Sequence, residues 1–201
     1  MGDAGGHYFS AAPTAASAQR SFSLHLPDVS LELAADRGVF ASEGVDPGTK
    51  ILLLDAPAAP PRGELLDVGC GYGPIALTLA ARSPNAHVWA LDVNERARAL
   101  CTANAAANGL TNVTVAAPDD VPSDVRFSAI WSNPPIRVGK AALHELLERW
   151  LERLSPDGRA ALVVHKHLGA DSLLRWLCEA GWPTQRLTSR QGYRVLEVRT
   201  S

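Results

Sequence analysis

The 201-residue sequence has little that would tie it to a metal, a disulfide framework or a membrane. Its three cysteines, Cys70, Cys101 and Cys178, are widely spaced and form no CxxC pair, so neither a zinc site nor a disulfide framework is predicted. No run of about 18 apolar residues occurs, and no basic segment followed by an apolar one opens the chain. We therefore expect a cytoplasmic protein with reduced cysteines, no bound metal and no membrane span.

The sequence also has little net charge, and its charges are unevenly placed. The formal net charge is −2, which excludes a polycation that binds nucleic acid through bulk charge alone. Residues 1–100 contain 7 Lys and Arg against 11 Asp and Glu, whereas residues 101–201 contain 12 against 10. A surface for a polyanion is therefore expected only as a local patch, built mainly by the C-terminal half.

Length and composition indicate one globular domain. Hydrophobic residues make up 46% of the chain and charged residues 20%, which is typical of a chain that buries a core. Residues 1–20 are rich in Gly, Ala and Ser and are predicted to be a flexible N-terminal segment. Residues 21–201 are predicted to form the domain, in which alternating apolar residues on either side of Pro27 predict a hairpin over residues 21–36.

Predicted strands and helices alternate along the rest of the chain. Helices are predicted around residues 51–54, 75–81, 94–108, 143–154 and 173–177. Strands are predicted at residues 65–68, 86–91, 113–115, 127–131, 160–164, 184–188 and 193–199. Helices between strands require parallel pairing, whereas the last two strands have only a short turn between them. The predicted fold is therefore a three-layer, doubly wound α/β fold. Its seven-stranded sheet is mostly parallel, with a terminal antiparallel hairpin and a small N-terminal addition.

A glycine-rich loop follows the first strand of the predicted sheet. It reads Asp67-Val-Gly69-Cys-Gly71-Tyr-Gly73-Pro74, and Pro74 suits the first position of a helix. Glycines allow a ligand to approach the backbone closely, so a side chain added at any of these three glycines is expected to obstruct that ligand. Asp67 beside the loop favours a cationic group over a pyrophosphate.

An acidic residue, Asp92, ends the second strand, 19 residues beyond Gly73. A carboxylate at this place can accept hydrogen bonds from both hydroxyls of a ribose. The alternative is that Asp92 only caps the helix that follows. Together, the loop and the acid predict a site for a cofactor that contains a nucleoside.

The segment Ser132-Asn133-Pro134-Pro135-Ile136 ends the fourth strand. Its two prolines fix φ and remove two N–H donors, which holds a backbone carbonyl beside the side chain of Asn133. The two oxygens are acceptors in rigid geometry and suit a planar NH₂ group, although the segment alone is also consistent with a turn that only ends the strand. Ligands of open α/β sheets bind outside the carboxyl ends of the strands, so we expect all three segments at one site.

These segments resemble those of class I S-adenosylmethionine-dependent methyltransferases, which have a Rossmann-like fold. The Asn-Pro-Pro segment is similar to that of enzymes that methylate a nitrogen conjugated with a π-system. The chain resembles in particular the methyltransferase small domain family, whose members include guanine-N2 methyltransferases of small-subunit ribosomal RNA. The resemblance covers nearly the whole chain and rests on these segments: His7-Tyr8-Phe9, Gly38-Val39-Phe40, Val45-Asp46 with Gly48-Thr49, residues 66–75, Asn133-Pro134-Pro135-Ile136-Arg137 with Gly139-Lys140, and Gly192-Tyr193.

The resemblance implies S-adenosylmethionine as the cofactor. Family members usually carry an acid after the third strand that bonds the adenine amine, and here Asp119 or a neighbour is expected to do so. The cofactor-binding residues that the resemblance implies are Asp67, Gly69, Cys70, Gly71, Tyr72, Gly73, Asp92, Val93, Asp119 and Asn133.

The resemblance also implies methyl transfer to an exocyclic amine by the catalytic segment Asn133, Pro134, Pro135 and Ile136. The Asn133 Oδ1 atom and the Pro134 carbonyl would accept the two amine hydrogens and stabilise the positive charge that develops on the nitrogen. Related enzymes often have an aromatic residue at the position of Ile136, so π-stacking on the target base is not expected from this side chain.

Basic residues near the same edge of the sheet predict a surface for RNA phosphates. The candidates are Arg137, Lys140, His165, Lys166, Arg190 and Arg194. The alternative is ordinary solvated charge. His165 and His167 are only two histidines at positions i and i+2, which do not predict a metal site by themselves.

The predicted function is S-adenosylmethionine-dependent methylation of the exocyclic N2 amine of a guanine in ribosomal RNA or the small ribosomal subunit. One alternative is an N-methyltransferase that acts on a protein glutamine amide or a small molecule. Glutamine methyltransferases, however, usually have Tyr where this chain has Ile136. The other alternative is a catalytically silent adaptor that binds the cofactor, and the intact Asp67, Asp92 and Asn133 argue against it.

Overall fold

The computed structural model describes residues 20–36 and 44–200. The predictions for residues 1–19, among them His7-Tyr8-Phe9, and for Gly38-Val39-Phe40 lie outside the described residues. The predicted N-terminal hairpin is present as strands β1 (Arg20–His25) and β2 (Ser30–Ala35), which pair in antiparallel fashion. Strand β1 begins at Arg20, the last residue of the segment that was predicted to be flexible.

A seven-stranded sheet forms the centre of the fold and confirms the predicted fold class. Its strands are β3 (Arg62–Val68), β4 (Asn85–Leu91), β5 (Val113–Ala116), β6 (Phe127–Ser132), β7 (Leu154–His165), β8 (Thr184–Arg190) and β9 (Tyr193–Arg199). They lie in the order β5-β4-β3-β6-β7-β9-β8. Strands β3 to β7 pair in parallel, whereas β9 pairs antiparallel with both β7 and β8.

Among residues 20–36 and 44–200, five α-helices cover the two faces of this sheet. They are α1 (Pro47–Asp55), α2 (Pro74–Arg82), α3 (Glu95–Ala107), α4 (Lys140–Leu151) and α5 (Ala170–Glu179). Buried residues of α1, α2, α3 and the hairpin form one apolar cluster with the sheet, and those of α4 and α5 form a second cluster on the other face. The molecule therefore has three layers, with the sheet in the middle.

The junction between α4 and β7 differs from the sequence prediction. The apolar period predicts a helix up to Leu154, but α4 ends at Leu151 and Leu154 begins β7. Between Leu154 and Arg159, β7 shifts register against β6, and Asp157 adopts a positive φ of 64° there. Pro156 cannot continue the helical hydrogen bonds, and the bulge lets the apolar Leu154 pack as part of a strand.

The strand order brings the three predicted site segments to one edge. From β3 the chain first moves outward to β4 and β5 and then returns to place β6 on the other side of β3. The carboxyl ends of β3, β4 and β6 are therefore neighbours at the point where the strand order reverses, which is where doubly wound folds bind ligands. Within the described ranges, no helix is long and apolar enough to cross a membrane.

Candidate functional site

The loop between β3 and α2 is anchored to β4 and open on its outer side. The amides of Gly69 and Cys70 both donate to the Leu91 carbonyl, each at 2.8 Å. Gly69 and Gly71 have φ of 77° and 57°, a backbone conformation that favours glycine. A Cβ placed on Gly69 would have no atom within 4 Å. The backbone of this loop therefore faces space in which a ligand can approach it.

Gly73 has a different role from the one expected. Its φ is 100°, and an added Cβ would lie 2.7 Å from Cys101 Sγ and 3.2 Å from Leu77 Cγ. A side chain at this position would push α2 away from α3 rather than obstruct a ligand. Gly73 is therefore required by the packing of the core, and the approach of its backbone to a ligand stays a prediction.

The side chains of Cys70 and Tyr72 also point into the core. Both residues are almost fully buried, at 3% and 2% exposure. The hydroxyl of Tyr72 donates to the Gly44 carbonyl at 3.2 Å, and its ring lies edge-on to Phe22 of β1. These two residues can therefore contribute only backbone atoms to the open side of the loop.

Asp67 lies beneath the loop, with no exposure to solvent. Its Oδ2 atom accepts a hydrogen bond from the Ala76 amide at 2.9 Å, in the first turn of α2. Its Oδ1 atom is buried and accepts no hydrogen bond from the described residues. Burial raises the pKa of Asp67 well above its usual value, and the nearby charge of Asp92 raises this pKa further.

The Asp92 carboxylate joins β4 to the glycine loop. Its Oδ2 atom accepts from the Gly71 amide at 2.9 Å, and its Oδ1 atom accepts from the Asn94 amide at 2.8 Å. Burial raises the pKa of Asp92, although these two bonds act in the opposite direction. The next helix is capped by Asn94 and not by Asp92. The adjacent Val93 side chain is exposed at 48%, so it offers an apolar surface beside the carboxylate.

Asn133 follows β6 and is held by the start of α1. Its Nδ2 atom donates to Asp46 Oδ1 at 2.9 Å and to Thr49 Oγ1 at 3.0 Å. Its Oδ1 atom, at the other end of the amide, accepts no hydrogen bond from the described part of the chain. The two partners hold the amide so that its oxygen remains available to a ligand.

The two prolines after Asn133 form a tight turn. Pro135 has φ −75° and ψ 74°, the geometry of an inverse γ-turn, and the Pro134 carbonyl accepts a hydrogen bond from the Ile136 amide at 2.9 Å. A carbonyl oxygen has two lone pairs, so one acceptor position remains on Pro134. Ile136 is half-buried and lines a cavity of about 150 Å³ with Lys140, Leu143 and Leu168 among its neighbours.

Asp119 lies in a short 3-10 helix (Pro118–Asp120) after β5. Its carboxylate bonds the Arg149 guanidinium at 2.8 Å, and its side chain is 89% exposed. Asp119 thus lies beside the carboxyl end of β5, next to β4, but its side chain is turned towards α4. Its contact with an adenine stays a prediction.

The basic residues predicted to bind RNA differ in their surroundings. Arg137, Lys140 and Lys166 are exposed at the carboxyl edge of the sheet. Arg190 lies 3.6 Å from Asp55, and Arg194 is largely buried in an ion pair with Asp171.

The turn of the last hairpin reaches the same edge as the end of β7. The Lys166 amide donates to the Gly192 carbonyl at 2.7 Å. The His165 ring packs edge-on against Tyr193, with ring centres 4.8 Å apart. The surface that this edge offers to a polyanion therefore rests mainly on Arg137, Lys140 and Lys166.

Sequence reasoning assigned no role to Asp46 and Thr49. Asp46 is the N-cap of α1, and its Oδ1 atom accepts from the Thr49 amide at 3.0 Å. The sequence Asp46-Pro47-Gly48-Thr49 is typical of the start of a helix, because Asp is a favoured N-cap and Pro a favoured first residue. That signal predicts a capped helix, but it does not predict that the cap contacts a residue that lies 87 positions later in the chain.

Comparisons with known proteins show the family to which this chain belongs. The family model described as "Methyltransferase small domain" matches residues 30–197. The uncharacterized protein YbxB of Bacillus subtilis (strain 168) is 35% identical over 196 residues, which are 96% of this chain and 98% of that protein.

Two further similar proteins carry functional names. The ribosomal RNA small subunit methyltransferase C of Pseudomonas aeruginosa (strain LESB58) is 35% identical over 92% of this chain and 55% of that protein. The 16S rRNA N2 methyltransferase RsmC of T. thermophilus, solved in complex with AdoMet and guanosine, matches with a TM-score of 0.76 and 26% identity. That match covers 94% of this chain and 52% of the solved chain. The chain thus spans about half the length of these two methyltransferases.

Proposed function

The chain belongs to the methyltransferase small domain family and is an S-adenosylmethionine-dependent methyltransferase, and on this premise we propose that it methylates the exocyclic N2 amine of a guanine in small-subunit ribosomal RNA. The observation that carries the proposal is the fixed orientation of the Asn133 amide, whose NH₂ group is held by Asp46 and Thr49, in the residue that precedes Pro134. Two acceptors at this place suit a planar NH₂ group, which the N2 amine of guanine provides.

The residues of the loop fit S-adenosylmethionine, which is rich in hydrogen-bond donors and positively charged. The Asp92 oxygens each accept one backbone bond, so each has a lone pair left for a ribose hydroxyl. The buried Asp67 Oδ1 atom has no donor among the described residues, and a cationic group bound above the loop would favour its ionised form. Val93 would cover the base.

The residues of this chain bind and orient the amine that receives the methyl group. When bound, S-adenosylmethionine supplies an electrophilic methyl group. Asn133 Oδ1 and the Pro134 carbonyl each accept one hydrogen of the target amine, which turns the nitrogen lone pair out of conjugation with the ring. They then stabilise the positive charge that forms on that nitrogen. The protonated product is strongly acidic, so no side chain has to act as a strong general base.

The RNA substrate is supported by the relatives and by the carboxyl edge of the sheet. The two named methyltransferases act on ribosomal RNA of the small subunit, and one of them was solved with guanosine. In this chain the exposed Arg137, Lys140 and Lys166 lie at the same edge as Asn133, where they can contact phosphates around a target base. Ile136 would pack on that base through aliphatic contact.

The test is the transfer of a labelled methyl group. Small ribosomal subunits from cells that lack this protein are incubated with the enzyme and radiolabelled S-adenosylmethionine, and the product is digested separately with nuclease and with protease. We expect the label in RNA, as N2-methylguanine after nucleoside analysis. Label in protein would contradict the RNA substrate and support a glutamine amide, and label in another nucleoside would contradict guanine N2.

The role of Asn133 is tested in the same assay. We expect Asn133→Ala to lower turnover about 10²-fold or more, because the variant lacks one preorganised acceptor of the transition state. Asn85→Ala, at the opposite end of the sheet, is the matched control and should keep wild-type turnover. Near-wild-type turnover in the Asn133 variant, with the cofactor still bound, would show that the proposed role is wrong.

A further inference from the structure

We propose that Asp46 and Thr49, at the start of α1, are positioning residues that fix the orientation of the Asn133 amide. The inference deepens the proposed function and rests on it. The contacts are direct, because one hydrogen of Asn133 Nδ2 is directed to Asp46 Oδ1 at 2.9 Å and the other to Thr49 Oγ1 at 3.0 Å.

The chemistry of these partners determines which end of the amide faces the substrate. A carboxylate only accepts hydrogen bonds, so Asp46 selects the NH₂ end of Asn133 and leaves the oxygen on the other side. A reversed amide would present its own NH₂ group to the NH₂ group of the substrate, so that two donors would face each other. The network therefore excludes an orientation in which Asn133 is unable to accept the amine hydrogen.

The network is rigid because the same atoms also cap a helix. Asp46 Oδ1 accepts from the Thr49 amide at 3.0 Å, so this one oxygen is held by the start of α1 while it binds Asn133. Thr49 is 3% exposed, which keeps water from competing for its hydroxyl. A helix on one face of the sheet therefore holds a side chain that follows β6.

The ring of Tyr193 packs against Gly48, beside this network. A Cβ on Gly48 would lie 2.6 Å from Tyr193 Cε1 and 3.0 Å from Asp46 Oδ1, so the ring packs where residue 48 has no side chain. Burial raises the pKa of Tyr193, and the charge of Asp46 raises it further. The ring thus packs close to the Asp46 carboxylate at the start of α1.

The first test measures methyl transfer in single and double variants. We expect Asp46→Ala and Thr49→Val to lower kcat roughly 10-fold or more, with KM for S-adenosylmethionine within about twofold. Asp46→Asn should stay within about threefold of wild type, because its amide oxygen can accept both bonds that Asp46 Oδ1 accepts. In the Asn133→Ala background, Asp46→Ala should cause no further loss of kcat, since the residue acts only through Asn133.

A matched control separates positioning from a loss of stability. Asp28→Ala removes a carboxylate that bonds Arg82 at 2.7 Å in another part of the molecule, so it also removes a carboxylate that accepts hydrogen bonds but should keep wild-type kcat. Thr49→Val leaves the Asp46 cap in place, so its effect on kcat does not depend on helix capping. Unchanged kcat in both single variants, or a further loss in the Asn133→Ala background, would overturn the proposal.

A second measurement does not depend on the identity of the substrate. The side-chain NH₂ resonances of Asn133 are followed by hydrogen exchange in the full chain without substrate. We expect slow exchange in the wild type and Asp46→Asn, and faster exchange in Asp46→Ala and Thr49→Val. Fast exchange in the wild type would overturn the positioning role. An enzyme that transfers no label to RNA but shows this pattern would contradict the proposed substrate alone.

Discussion

The carboxylate of Asp92 illustrates how one residue can serve both the fold and a ligand. Its two oxygens accept backbone bonds from Gly71 and Asn94, which holds the end of β4 against the glycine loop. Each oxygen retains one lone pair, and the adjacent Val93 is exposed. Asp92 therefore has both the fixed position and the free acceptors that binding of a ribose requires.

Removal of this carboxylate tests the cofactor assignment. We expect Asp92→Ala to weaken S-adenosylmethionine binding about 10²-fold or more, because two charge-assisted bonds of roughly 1.5–3 kcal/mol each are lost and only partly replaced by water. Calorimetry of cofactor binding measures the effect. Burial raises the pKa of Asp92, and ribose hydroxyls favour its ionised form, so the wild-type affinity should increase as the pH rises through that raised pKa.

Asp124→Ala provides the control for this measurement. Asp124 is an exposed carboxylate before β6, and its removal should change the affinity by less than about twofold. Asp92→Asn keeps one neutral acceptor oxygen and should bind with intermediate affinity. If Asp92→Ala bound the cofactor as tightly as wild type, the ribose assignment would be wrong.

At the scale of elements, α3 takes the place of a further strand beside the N-terminal hairpin. Asn104 accepts from the Ala34 amide at 2.8 Å and donates to the Ala34 carbonyl at 2.9 Å. Asn108 makes the same pair of bonds with Glu32, at 3.0 and 2.7 Å. Four residues of a helix and two residues of a strand both advance about 6 Å, so the two amides match the spacing of the β2 edge and satisfy its backbone groups.

This contact predicts unequal costs for two similar substitutions. Asn104 is 3% exposed and also donates to the Tyr72 carbonyl at 2.8 Å, so Asn104→Ala leaves three backbone groups without partners. We expect it to lower the free energy of unfolding by about 2–4 kcal/mol, and Asn108→Ala, nearer to solvent, to lower it by about 1 kcal/mol. Urea denaturation measures both, and hydrogen exchange at the Ala34 amide should become faster. An equal or larger cost for Asn108→Ala would contradict this account.

Local signals allowed the element types and several boundaries to be predicted from the sequence. The predicted cap of α3 is present, because the Asn94 side chain accepts from the Arg96 and Ala97 amides. The start of α4 was predicted three residues late. Its cap, Gly139, has no side chain that could bond the first turn, so the apolar period was the only signal.

Contacts between distant parts of the sequence could not be predicted in this way. Asn104 lies 70 residues from Ala34, and Asn133 lies 87 residues from Asp46. An asparagine in a helix or an aspartate at a cap has an ordinary local explanation, and only the packing of the helices on the sheet reveals the second partner. The three loops of the candidate site were predictable because a parallel sheet brings its carboxyl ends together.

At the scale of the whole molecule, the predicted cofactor loop and the predicted acceptor segment follow different strands of the sheet. The glycine loop and Asp92 lie at the ends of β3 and β4, whereas Asn133 and the exposed basic residues follow β6 and β7. The small net charge of −2 therefore does not describe the surface at which we propose that a substrate binds. A nucleic acid bound at this edge would contact cations that lie on the acceptor side of β3.

This separation predicts that RNA binding and cofactor binding can be changed independently. We expect Arg137→Ala and Lys140→Ala each to weaken RNA binding and to reduce the slope of log affinity against log salt concentration by about 1. Cofactor affinity should stay within about twofold in both variants. Fluorescence anisotropy with a labelled RNA across a salt series, together with calorimetry for the cofactor, measures the two effects.

Arg62→Ala is the matched control, because this exposed arginine lies at the start of β3 and therefore at the opposite end of the strands. The slope of log affinity against log salt concentration should be the same for the Arg62→Ala variant as for the wild type. An unchanged slope in the Arg137 and Lys140 variants would mean that RNA phosphates do not contact this side of the sheet.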